Sequence, residues 1–140
     1  MPKDAWRIWK KSSGTKEIQR IGARYINRID IPSQHNIQIN DYLTASLIFP
    51  RKTLISEYLI RFTQRVSDHW EVTITSALVP PHLIGHTSLV LDIDVFRTKD
   101  IHVNDDAVLR VIDESRGIKN AIFNECLTEK TKELCGTCTQ

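Results

Sequence analysis

At 140 residues, with 41% hydrophobic and 26% charged side chains, the chain has the make-up of one globular domain with a core of its own. A net charge of +2 is too small to announce a nucleic-acid partner, and no stretch reaches the roughly 20 apolar residues that a membrane span needs. The cysteines (Cys126, Cys135, Cys138) all lie near the end, where they cannot staple a sheet, and the first residues lack the apolar run of a secretory leader. A reducing cytoplasm is therefore the expected compartment.

The charge is unevenly spread. Residues 1–70 carry +6 and residues 71–140 carry −4. Two such halves attract each other, within one chain or between chains.

In chain order, residues 1–17 read as an N-terminal arm. Trp6, Ile8 and Trp9 sit among basic residues there, a pattern open to a short helix or a strand. Ser12-Ser13-Gly14-Thr15 is a turn. Residues 18–31 then form a β-branched run closed by Pro32. Arg20, Arg24 and Arg28 fall at even spacing, so an extended chain puts them on one face. Ile21, Ala23, Tyr25, Asn27 and Ile29 make the other face, with Tyr25 expected as a core aromatic. Residues 33–53 read as a connection packed on the core, with Asn40-Asp41 opening a short helical turn.

Three segments with strict alternation follow. Tyr58, Ile60 and Phe62 alternate with Leu59, Arg61, Thr63 and Arg65. Trp70, Val72 and Ile74 alternate with Glu71, Thr73 and Thr75. Leu89, Leu91, Ile93 and Val95 alternate with Val90, Asp92, Asp94 and Phe96. Period two in successive strands predicts an antiparallel sheet with one dry face over residues 18–100. Residues 104–135 read as helical. Asn104 is the cap, Val108, Leu109, Ile112, Ile122, Phe123 and Leu127 the apolar stripe, and Gly117 a point of weakness. Thr128 can cap a last short helix. The expected fold is α+β: an antiparallel sheet of about four or five strands, one face covered by the C-terminal helix or helices.

Three segments together resemble the C-terminal half of an uncharacterised, sporadically distributed prokaryotic protein family. They are Arg24-Tyr25-Ile26-Asn27-Arg28, Leu91-Asp92-Ile93-Asp94-Val95-Phe96, and Lys119-Asn120-Ala121-Ile122-Phe123 with Leu127-Thr128-Glu129-Lys130 behind it. The resemblance spans roughly residues 18–135. It implies a longer architecture of which the N-terminal half is missing here, and hence a sheet edge to be paired or covered. It implies no activity.

The candidate site lies on the charged face. Arg20, Arg24, Arg28, Arg61 and Arg65 could fork onto phosphate oxygens, while Asp92 and Asp94, two apart on one strand, could hold Mg²⁺ or Mn²⁺. The plainer alternative is a wet sheet face with cross-strand arginine–aspartate pairs. Other constellations carry less. His82 and His86 have a metal-site spacing, but prolines and Gly85 make their segment a loop. Cys135 and Cys138 are one ligand pair where a structural zinc site needs four ligands. Lys119 and Asn120 lie on the helix, with Asn120 as a buried, satisfied amide. Glycine-rich phosphate loops and nucleophile elbows are missing.

The function expected is a non-enzymatic interaction or assembly module that associates with itself or another protein, with no cofactor. One alternative is a phosphate-ligand or metal-dependent phosphohydrolytic domain. A weaker one is nucleic-acid binding through the basic residues 3–28.

Overall fold

The computed structural model describes residues 2–14, 17–33, 37–51 and 55–136. The first element is a helix, α1 (Pro2–Ser13). The strands are β1 (Ile21–Pro32), β2 (Leu59–Arg65), β3 (Glu71–Val79) and β4 (His86–Arg97). Two helices follow, α2 (Asp105–Cys126) and α3 (Glu129–Leu134). The strands form one antiparallel sheet in the order β1-β4-β3-β2, which matches the α+β expectation.

Alternation decides which face is dry. Leu89, Leu91, Ile93 and Val95 of β4 are fully buried, and Val72 and Ile74 of β3 and Ile29 and Ile31 of β1 join them. Val111 and Phe123 of α2 complete the layer. The connection after β1 adds Ile39, in a one-turn helix at Ile39–Asp41, and then Tyr42 and Leu43. Leu43 pairs with Leu127, which ties this connection to the end of α2. Such burial supplies roughly 25 cal/mol per Å² of apolar area, so the dry face is the main source of stability.

β1 pairs with β4 in unbroken register from Ile21 opposite Arg97 to Pro32 opposite His86. Just beyond, the Ser33 N–H donates to the Gly85 carbonyl at 2.8 Å. Hydrogen-bonded and non-hydrogen-bonded pairs alternate along an antiparallel ladder. The odd-numbered residues of β1 therefore turn their N–H and C=O groups to β4. The even-numbered ones, Gly22 to Pro32, turn theirs outward. Pro32, which has no N–H, falls in the outward set, where an edge strand tolerates proline.

Three expectations need adjustment. The ambiguous N-terminal segment is helical and takes in Ser12 and Ser13, which were expected in a turn; Trp6 Nε1 and Lys10 Nζ dock it by both donating to Asp105 at the start of α2 (3.0 and 2.9 Å). α2 runs unbroken through Gly117, whose Cα has open space around it. Its buried stripe is Val108, Val111, Ser115, Lys119, Phe123 and Cys126, while Leu109, Ile112 and Ile122 are half-buried at the margins. Asn104 Oδ1 accepts from the Ala107 N–H at 2.8 Å, and the Thr128 hydroxyl accepts from the Thr131 N–H at 3.3 Å, so both caps form as the sequence indicates.

Candidate functional site

The side chains that alternate with the dry set share the opposite face of the sheet. Register puts Arg24, Asp94, Thr73 and Thr63 in one row across the four strands. Ile26, Asp92, Thr75 and Arg61 form the next row, and Gly22, Phe96, Glu71 and Arg65 the row beyond. Thus Arg24, Arg28, Arg61, Arg65, Asp92 and Asp94 lie on one surface, and Arg20 reaches it from the residue before β1.

On the β1–β4 half of that surface the charges are already matched. Arg24 grips Asp92 with two parallel bonds, Nε to Oδ1 at 3.0 Å and Nη2 to Oδ2 at 2.6 Å. Those bonds and the negative charge of Asp92 hold the guanidinium proton more tightly than usual. Arg20 Nη2 donates to Asp94 at 2.7 Å while its guanidinium lies over the Phe96 ring, 4.3 Å from the centroid. Arg28 donates to Asp30 (3.0 Å), to Ser88 Oγ (3.1 Å) and to the Pro80 carbonyl (2.7 Å). Ser88 also donates to Asp30. The hydroxyl of Ser88 and then the Arg28 guanidinium hold the Asp30 carboxyl below the usual carboxylate range. A divalent ion at Asp92 and Asp94 would have to displace Arg24 and Arg20 first. Among the described residues, no group of three or more histidine, cysteine or acidic side chains is arranged to hold a metal ion.

Arg61 and Arg65 differ from the other three. They stand opposite Thr75 and Glu71, and among the described residues neither has a hydrogen-bond or ion-pair partner. The Thr63 and Thr73 hydroxyls bond each other at 2.7 Å beside them. Apolar side chains interrupt the face at its two edges. Ile26 on β1 is 64% exposed and Leu59 on β2 is 70% exposed.

The segments that carry the family resemblance meet in space. Asn27 Nδ2 donates to the Leu91 carbonyl at 3.4 Å. The Lys119 ammonium rests 3.6 Å from the centroid of the Tyr25 ring, on the helix side of the sheet. Lys119 is only 4% exposed, and burial, then the charge of Arg116, lowers its pKa. Tyr25 is 39% exposed, so it is a platform for this lysine and not the core aromatic that alternation suggests. Asn120 keeps Oδ1 buried without a hydrogen-bond partner, where a satisfied amide was expected.

A cleft of about 520 Å³ opens on the helix side, between α2 and β2–β3, over Phe62, Ile74, Ile122 and Cys126. Asp92, Asp94 and Arg24 take no part in it, and of the charged-face candidates only Arg65 reaches its lining. Burial pushes the Cys126 thiol up to about 11. Cys138 lies outside the described residues. His82 is exposed in the turn before β4, and the His86 ring meets the Ile84 carbonyl at 3.0 Å.

The sequence reading missed the Lys119–Tyr25 contact and the Asp105 clamp on α1, because both join elements far apart in the chain. The role of Asp30 was within reach, since residues two apart on a strand share a face. Comparison with protein-family models, with curated proteins and with solved structures yields no match.

Proposed function

We propose that this chain is a non-enzymatic assembly module that works by associating with itself, in the reducing cytoplasm of a prokaryotic cell. One observation carries the reading. Asp30, Asp92 and Asp94 on the charged face are engaged by arginines, while among the described residues no further strand pairs with the outer edges of β1 and β2, which carry exposed apolar side chains. Aspartates so neutralised suit a surface that carries other parts, and an open edge invites a further strand. The test is sedimentation velocity over a dilution series. A stable oligomer that dissociates on dilution is expected, and a monomer at every concentration would overturn the reading.

The unpartnered Arg61 and Arg65 favour a second reading, an anionic ligand on the β2 half of the charged face. Thermal shifts with sulfate, nucleotides and polyphosphate, each with and without Mg²⁺ or Mn²⁺, separate the two. A ligand at 100 times its dissociation constant adds about 2.7 kcal/mol of apparent stability. A metal-dependent shift lost in Asp92→Asn would revive phosphohydrolytic chemistry. A shift lost only in Arg61→Ala would make this a simple anion site.

A further inference from the structure

We infer that the partner is a second copy of this chain, joined through the outer edge of β1 in an antiparallel, two-fold ladder centred on Asn27. This inference rests on the self-association reading above and adds the surface and the register.

β1 and β2 are both edge strands exposed along their outer sides, and what favours β1 is its length, twelve residues against seven, and its neutralised charges. The outward N–H and C=O groups of β1 belong to the even-numbered residues, and among the described residues no other strand pairs with them. Gly22, Arg24, Tyr25 and Ile26 are exposed along that edge. The arginines beside the edge are neutralised within the chain, Arg24 by Asp92 and Arg28 by Asp30. β2 is the contrary case. It is short, seven residues, and among the described residues its Arg61 and Arg65 form no ion pair, although Arg65 stands opposite Glu71. Unpaired charge on a short edge strand is a common protection against unwanted pairing.

Register follows from charge and geometry. Opposed residues in an antiparallel ladder share a face, and the outward bonds of β1 come from even-numbered residues, so only even-to-even and odd-to-odd registers are open. Centring on Ile26 sets Arg24 against the partner's Arg28, a like-charge pair. Centring on Tyr25 shortens the overlap to residues 21–29. Centring on Asn27 keeps residues 22–32 in the ladder. It sets Arg24 against the partner's Asp30 and Ile26 against the aliphatic stem of the partner's Arg28. On the helix side, Tyr25 then meets the partner's Ile29. Asn27 faces its own copy across the axis, and an eight-stranded sheet results, by doubling the four strands of one chain.

The test is a matched pair of edge substitutions. Ile26→Lys and Leu59→Lys each put a lysine at an exposed apolar position on the charged face, one at each edge. Light scattering after size exclusion reads the mass, and circular dichroism checks the fold. The wild type and Leu59→Lys are expected as dimers and Ile26→Lys as a monomer. A dimer that survives Ile26→Lys would overturn the β1 interface and leave self-association standing. A monomeric wild type would overturn both. Should Ile26→Lys fail to fold, residue-resolved amide exchange on the wild type decides the matter. The outward amides of Arg24, Ile26, Arg28 and Asp30 should be protected at high concentration and lose that protection on dilution. Fast exchange of these amides in a dimer would sink the β1 interface.

Discussion

Two glycines illustrate how one methyl group acts in opposite directions. At Gly22 an added Cβ would sit 2.3 Å from the Val95 carbonyl oxygen and 2.9 Å from the Phe96 Cβ, closer than atoms pack. β1 and β4 approach so tightly there that only a residue without a side chain fits. At Gly117 the same atom would meet nothing within 4 Å, in the middle of an exposed helix surface. Gly22→Ala should therefore cost roughly 1–3 kcal/mol by overpacking. Gly117→Ala should add about 0.5–1 kcal/mol by helix propensity. Urea denaturation of both variants checks the contrast, and similar midpoints would refute it. Neither role was legible in the sequence. Gly22 passes as one more alternating residue, and Gly117 reads as a break because sequence alone cannot show that the surrounding helix is held by its buried face. The burial of Lys119 escaped notice for a related reason. A lysine is normally counted as surface, and the Tyr25 ring beneath this one helps to make its burial tolerable.

Among the elements, α1 depends most on a single side chain. Asp105, in the first turn of α2, accepts from both Lys10 and Trp6. These two bonds, Lys10 first, hold its carboxyl below the ordinary value of 3.8. Because the folded-state value is lowered, the clamp is fully present above the ordinary carboxylate range. It is lost as pH falls through the lowered value. Acidification should thus free α1 from α2, seen as altered Trp6 and Trp9 emission. Asp105→Asn should show that emission already at neutral pH. Identical acid profiles for the variant and the wild type would count against the clamp. Element assignment divides along the same line. The strands were legible because their period of two is strict and each has one dry face. The buried stripe of α2 was only partly legible, since Ser115 and Lys119 occupy two of its positions and carry no apolar signal. Ser115 is tolerable there because its hydroxyl donates to the Ile112 carbonyl at 2.6 Å. The candidate face was foreseen as a set of residues. Its internal pairing depends on diagonal neighbours in the register, which alternation does not specify.

For the molecule as a whole, the lopsided charge has an internal explanation. The positive first half and the negative second half meet through Arg20–Asp94, Arg24–Asp92 and Lys10–Asp105. The same arrangement dictates which contacts are local. β2, β3 and β4 form a meander of adjacent hairpins, whereas β1 finds β4 across long loops, as Arg20 and Asp94 show at 74 residues apart. Closing a long loop must precede its reward, so the meander should be formed in the folding transition state and β1 added afterwards. Destabilising substitutions at Ile74 or Ile93 should slow folding, and those at Ile29 or Ile31 should mainly speed unfolding. Stopped-flow kinetics would expose the reverse order.

A consequence reaches back to synthesis. A ribosome delivers β1 early, long before β4, its only neighbour among the described strands, has left the exit tunnel. Throughout that interval Ile21, Ile29 and Ile31 have no sheet to join and both edges of the strand are bare. The nascent chain is then most exposed to mispairing with its neighbours on the same message. β1 must wait for β4, and whatever shelters it in the meantime governs how much protein is recovered.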